Sequence, residues 1–313
     1  MFLHPTTARH QPHDDCDPTM TLTRRRKQEL RRWAVYGASI LFVAFVVLSA
    51  DWSKLQETFL DPEIFADLFP EIVTIAAKNT IILAVLAFVG GLLLGLLLAL
   101  MRLSSVRPYR WASLAYIEFF RGIPALLTLV LIGFVLPIAL GVRIKELLPF
   151  LGSYGTPAVG LSVVAGAYLA ETIRGGIEAV PKGQMEAARS LGMSHPQAMV
   201  SIVIPQAFRV MIPPLTNEFV LLIKDTSLVF VLGVAAADQD LAFFSKSAVQ
   251  ETFNGTPFIA AALMYLAITL PLTALSRSLE RRGARSARRP GRAEQEPPAP
   301  LAATVGNDQV WDG

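Results

Sequence analysis

Six predominantly apolar stretches of about 18 residues or more constrain this chain most. At 1.5 Å per helical residue, each is long enough to cross a hydrocarbon layer about 30 Å thick. They lie at 33–50, 72–101, 111–140, 157–180, 208–234 and 257–276. In lipid no water is available to backbone amides, so such stretches must satisfy their own hydrogen bonds as helices. Composition agrees: 53% of the 313 residues are hydrophobic and 17% charged, against roughly a quarter charged in soluble domains. The expected fold is all-α and integral to a membrane, with about six transmembrane helices. The second and third stretches are long enough to tilt or protrude, and polar residues interrupt the fifth.

The charges between the stretches give an orientation. Arg24, Arg25, Arg26, Lys27, Arg31 and Arg32 precede the first, whereas the loop "DWSKLQETFLDPEIFADLFPE" is acidic around a lone Lys54. Arg102, Arg107 and Arg110 make the next connector basic. Arg143 and Lys145 against Glu146 leave the following loop nearly neutral. Lys182, Arg189 and Arg209 flank or lie in the segment after the fourth stretch, "ADQDLAFFSKSAVQET" leans acidic, and the C-terminal region is strongly basic. This alternation predicts both termini in the cytoplasm and places residues 184–205 on the cytoplasmic face. Basic clusters beside apolar spans are read as membrane flanks, and no nucleic-acid partner is expected.

The ends carry little chemistry. A lone Cys16 excludes an intramolecular disulfide, and His4, His10 and His13 are scattered through a polar tail. The helix at 33–50 ends in "LSA", which has the look of a cleavage site, but its length marks it as retained. Residues 1–32 form a basic, partly disordered tail. Residues 283–313, rich in Pro, Ala, Gly and charge without periodicity, form another. No G-x-x-x-x-G-K-[ST] phosphate loop, nucleophile–base pair or metal-ligand spacing occurs, so the chain is not expected to hydrolyse ATP or to hold a cofactor of its own.

Between the fourth and fifth stretches lies "QMEAARSLGMSHPQAMVSIVIP", residues 184–205, a sequence more typical of a soluble helical protein. Strong helix formers run from Gln184 to Leu191, and Gly192 suits the left-handed residue that follows a helix end. Ser194 and Gln197 have capping-box spacing, Pro196 fits a first turn, and Pro205 is expected to end or kink the second helix. The pattern predicts two short helices joined at a fixed elbow.

The elbow's residues match EAA-x3-G-x9-I-x-[LI]-P, with Glu186, Ala187, Ala188, Gly192, Ile202, Ile204 and Pro205 in place. This resembles the EAA loop in permease subunits of bacterial ABC importers. "IEFFRGIPALL", "AYLAETIRGGIEAVPKGQMEAARSLG" and "LLIKDTSLV" resemble the branch of that family serving His, Glu, Gln, Arg and opines. The likeness covers residues 71–282 and leaves the helix at 33–50 and the tails outside it. It implies a MetI-like permease core whose loop docks on a separate ATPase, with ATP and Mg bound by that subunit. It further implies a second permease, identical or homologous, an extracytoplasmic amino-acid-binding protein, and a polar amino-acid substrate crossing the inner membrane. Glu186, Ala187, Ala188, Gly192, Ile202 and Pro205 are the expected ATPase-coupling residues. Small Ala187 and Ala188 suit a helix that seats closely. Glu186 either pairs with a basic residue of the ATPase or favours the helix start.

Ionisable residues at membrane depth face a cavity or each other. Lys224 and Asp225 point about 100° apart on a helix and are poorly placed to pair together, so each needs another partner or the helix breaks there. Tyr168, Glu171 and Arg174 recur on one face, as do Glu118 and Arg121, in spacings that suit ion pairs within a helix or a lined pathway. Tyr168, Glu171, Asn217, Lys224, Asp225 and Thr226 are the candidate substrate pathway. Arg121-Gly122-Ile123-Pro124 predicts a kink, and Gly90, Gly91 and Gly95 predict close helix packing. Two alternatives are an importer of another small solute (opine, cystine or organic cation) and an ion-coupled secondary transporter using Lys224, Asp225 and Glu171 as its relay.

Overall fold

The computed structural model describes residues 18–141, 143–233 and 238–287. His4, His10, His13, Cys16 and most of the C-terminal tail lie outside the described residues. Among the described residues every regular element is helical. Five helices are long and apolar enough to cross a membrane, six if one bent pair counts as a span. The chain divides into two compact units at Glu57–Thr58.

The first unit consists mainly of α1 (Pro18–Ser49) and the start of α2 (Trp52–Phe59). From Trp33 to Leu48 α1 carries exposed apolar side chains all around its axis, the pattern of a helix meant for lipid. At its far end the Trp52 indole donates to the Val47 carbonyl at 2.7 Å, which gives the polar edge of the ring a partner as the chain turns.

The second unit is built on α4 (Ile72–Leu103) and α8 (Gly155–Glu178), numbered after the short α3 (Pro62–Asp67). Glycines on facing ridges let the two backbones meet. A Cβ added at Gly95 would stand 2.9 Å from the Leu169 Cβ and 3.0 Å from the Ala170 nitrogen, and one at Gly91 would stand 2.9 Å from the Ala165 Cβ. The small-residue face expected from the sequence thus packs on α8. Leu83 and Ala87 of α4 and Leu161, Ala165 and Leu169 of α8 extend this contact into a core that also takes in Leu129, Leu222 and Val229.

The stretch at 111–140, expected as one kinked span, is two helices, α5 (Arg107–Gly122) and α6 (Ala125–Leu140), bent by 109°. Pro124 has no amide hydrogen, and it holds Ile123 extended at φ −99°, ψ 138°. A short helix α7 (Ile144–Leu147) and a 3₁₀ segment (Pro149–Tyr154) lead into α8.

After α8 come α9 (Lys182–Ser190) and α10 (His195–Leu232). Two open alternatives are narrowed here. Pro205 does not end the second elbow helix, because a wider, π-helical turn at Met199–Val203 absorbs the missing amide and the helix runs on. The fifth span therefore begins at the elbow rather than at Phe208. Nor does the chain break at Lys224-Asp225: it tightens to a 3₁₀ helix over Thr226–Leu232 and ends at Gly233. Pro213 and Pro214 stay within α10, and Ser276 donates to the Pro213 carbonyl at 3.3 Å.

The last helices are α11 (Leu241–Thr252) and α12 (Thr256–Ala287). At the end remote from the elbow, a buried polar network ties four elements together. Tyr154 donates to Asn79 at 2.7 Å, Asn79 donates to the Gln239 carbonyl at 3.2 Å, and the Leu241 amide donates to Thr80 at 3.0 Å. Asp240 caps α11 by accepting from the amides of Ala242 and Phe243, and accepts from the Tyr265 hydroxyl at 3.3 Å. Burial pushes the Asp240 carboxyl above its ordinary value of 3.8, and the two capping amides act against that rise.

Candidate functional site: the elbow and the polar face beside it

The elbow is fixed by two consecutive caps. Gly192 takes φ 88°, its amide donates to the Arg189 carbonyl at 3.0 Å, and the Met193 amide donates to the Ala188 carbonyl at 3.2 Å. These are the two bonds of a Schellman motif. Ser194 and Gln197 then form a reciprocal capping box at the start of α10. Four terminal backbone groups are satisfied between Ala188 and Gln197, so the angle between α9 and α10 is set locally.

The two faces of the elbow differ. Ala188 is 5% exposed, and Met185, Met199 and Val203 pack with Ile173, Ala99 and Ala207 against α8 and α4. The other face carries Glu186, Ala187, Gly192 and Pro205, all exposed, with Ile202 partly buried. Leu191, not singled out in the sequence, is 86% exposed at the tip. The small size of Ala188 thus serves packing within the chain, and only Ala187 is turned outward. Glu186 makes no cap at the start of α9, which removes the local explanation for its carboxylate.

Above the elbow, α8 carries a charged ladder. Arg174 donates to Glu171 at 2.7 Å through Nη2 and at 3.2 Å through Nε, and to Glu178 at 2.5 Å. The expected Glu118–Arg121 pair does not form. Arg121 reaches out of α5 instead and places its guanidinium 5.5 Å from the Tyr168 ring centroid. Its charge is felt at both Glu171 and Glu218, and the charge of Arg102 is felt at Glu171. The Arg102 Nε is buried and has no hydrogen-bond partner among the described residues.

The other candidate pathway residues separate. Asp225 is half-buried and within electrostatic range of Glu218, two helical turns earlier on α10. Lys224 and Asn217 are exposed, and Lys224 makes no ion pair with Asp225. Thr226 is fully buried, with its hydroxyl donated to the Ile223 carbonyl at 2.8 Å, which places it in the packing. The structure therefore brings Tyr168, Glu171 and Glu218 within reach of Arg121, with Asp225 near Glu218. Glu218 was not among the expected pathway residues, and Arg121 was expected either to pair with Glu118 or to line the pathway. Their signal was present in the seven-residue spacing from Glu218 to Asp225 and in the Arg before the Gly-Ile-Pro break.

The chain as a whole is similar to known proteins. The family model described as the binding-protein-dependent transport system inner membrane component matches residues 91–285. This chain belongs to that family. Among relatives of this inner membrane component is the probable glutamine ABC transporter permease protein GlnM of Bacillus subtilis (strain 168). It is 39% identical over 209 residues, covering 65% of this chain and 89% of the relative. The L-cystine transport system permease protein TcyB of the same organism is 37% identical over 203 residues, covering 65% and 82%. A solved structure described as an amino acid ABC transporter with histidines has a TM-score of 0.62 at 35% identity, covering 71% of this chain and 98% of that one. The match takes in the elbow, the ladder and the bent pair, and leaves α1 outside it.

Proposed function

We propose that this chain is the membrane-spanning permease subunit of an ATP-driven importer that carries polar amino acids across the bacterial inner membrane. The observation that carries the reading is the elbow: a doubly capped corner that turns Glu186, Ala187 and Leu191 outward. A locally fixed corner holds these exposed side chains in one geometry, as docking to a partner requires. Glu186, Ala187, Ala188, Gly192, Ile202 and Pro205 couple it to a separate ATPase, which binds ATP and Mg. Ala188 acts from the inside, where it is buried. The core spans residues 71–282, the helix at 33–50 is an addition to it, and both termini are cytoplasmic. A second permease, identical or homologous, completes the channel, and an extracytoplasmic binding protein delivers substrate.

Arg121 with the carboxylates of Glu171 and Glu218 brings both signs of charge together, as a zwitterion requires. ATP-driven closure of the ATPase pair moves the elbow and shifts the permease between inward-open and outward-open states. Among substrates, the likeness to TcyB supports cystine as a second reading. The test is uptake by the permease reconstituted with its ATPase and binding protein, using labelled glutamine, arginine, glutamate and cystine. ATP-dependent accumulation of one of them is expected. Uptake driven by a proton or sodium gradient with the ATPase absent would overturn the reading in favour of an ion-coupled transporter.

A further inference from the structure

We propose that the N-terminal end of α1 is a binding site for the headgroups of anionic phospholipids. On this helix Arg26, Lys27, Arg31 and Arg32 are exposed, and Arg24 and Arg25 precede them. Glu29 is the one acidic residue of the whole helix. None of the four described basic side chains is engaged in an ion pair among the described residues, so their charge is not neutralised within the described chain. A run of this kind beside an apolar helix is complementary to lipid phosphate.

The register of the helix puts that charge at headgroup depth. Trp33, 74% exposed, and Tyr36 sit edge to face with ring centroids 6.3 Å apart, and paired amphipathic rings of this kind settle at the boundary between headgroups and hydrocarbon. From Trp33 the apolar surface continues to Leu48, about 22 Å at 1.5 Å per residue, and Trp52 stands beyond the far end. Lys27 lies about 9 Å outside Trp33 by the same rise and Arg31 and Arg32 lie closer. All three are therefore within about one Debye length of the phosphates. Gln28, Arg31, Arg32, Val35 and Tyr36 line a concavity of about 460 Å³ on one flank of the helix. It combines two guanidinium groups and an amide with an apolar floor, the chemistry of a phosphodiester with the start of its acyl chains.

The proposal rests on α1 as a membrane span and not on amino-acid import, so it stands or falls separately. The test takes the full-length purified transporter in nanodiscs of phosphatidylcholine doped with phosphatidylglycerol. Retained lipid is counted by native mass spectrometry for the parent and for Arg31→Gln/Arg32→Gln. Each basic residue at an anionic surface contributes about fivefold in affinity, so retention of phosphatidylglycerol should weaken roughly tenfold or more in the double variant. Arg31→Lys/Arg32→Lys, which keeps the charge, should hold most of it and shows that the helix is still inserted. Equal retention in parent and glutamine variant overturns the site. Displacement of the lipid by millimolar inorganic phosphate, in parent and lysine variant alike, also overturns it by showing a site for free anions.

Discussion

The amide of Met193 donates to the carbonyl of Ala188 at 3.2 Å, closing the chain around Gly192. That bond requires Gly192 to keep φ 88°. No atom lies within 4 Å of where its Cβ would be, so a substitution there is opposed by backbone conformation and not by crowding. Gly192→Asp should cost about 1–2 kcal/mol at the elbow and abolish uptake while membrane insertion stays normal. Uptake together with co-purification of the ATPase checks this; normal values for both would remove the elbow from coupling.

Glycines on the α4–α8 seam behave in the opposite way. Gly95→Val should destabilise the chain by about 1–3 kcal/mol through overpacking, since its first added atom already meets Leu169 and the Ala170 backbone. Gly183→Ala, on exposed α9 with open space around it, should instead be neutral or stabilising by up to about 1 kcal/mol. Thermal unfolding in detergent compares the two.

Arg121 and Glu118 separate the paired reading from the observed geometry. Because Arg121 faces Tyr168, Glu118→Ala should leave uptake close to that of the parent. Arg121→Ala removes the cation between Glu171 and Glu218 and should lower uptake tenfold or more, about 1.4 kcal/mol or above. Initial rates at saturating ATP distinguish these outcomes; equal losses in the two variants would restore the ion pair on α5.

Asp240 predicts a pH dependence of known sign. Its folded-state pKa lies above the unfolded value near 3.8, so the folded protein binds the proton more tightly. The stabilisation from this group is full below the unfolded value and is lost as pH rises through the raised folded value. Asp240→Asn should remove that acid-side dependence while keeping an acceptor for the cap. Asp240→Ala should also remove it and cost about 1–2 kcal/mol through the lost cap, most at acidic pH, since the amides of Ala242 and Phe243 lose their partner. Unfolding midpoints across the acidic range, parent against both variants, measure this.

What the sequence made legible was local. Gly192, Ser194 and Gln197 announce the elbow because a helix cap is decided within a few residues, and the glycines of α4 announce a close neighbour. Pro124 marked the position of the bend between α5 and α6 but not its 109°, which depends on how Leu129 packs against α8. The Glu118–Arg121 spacing suggested an intrahelical pair, but the ring of Tyr168 comes from another helix and no spacing within α5 reveals it. Ala188 looked outward on the motif, and only its burial in the folded chain shows that it faces in. Glu218 was visible as an acid in an apolar run; its relation to Asp225 needed the helix to continue unbroken between them.

The widened turn at Met199–Val203 changes how positions along α10 are to be compared. A π turn holds about one residue more than the 3.6 of an α turn. A helical wheel drawn with one period from His195 to Leu232 therefore falls out of phase at Val203 by about 100°, one residue's rotation. On such a wheel, variants designed to lie on the same stripe as the elbow would land a quarter-turn away from it. Scanning substitutions along this span should be phased in blocks, one ending before Met199 and the next running from Ile204 to Asp225, where the 3₁₀ turn changes the period again.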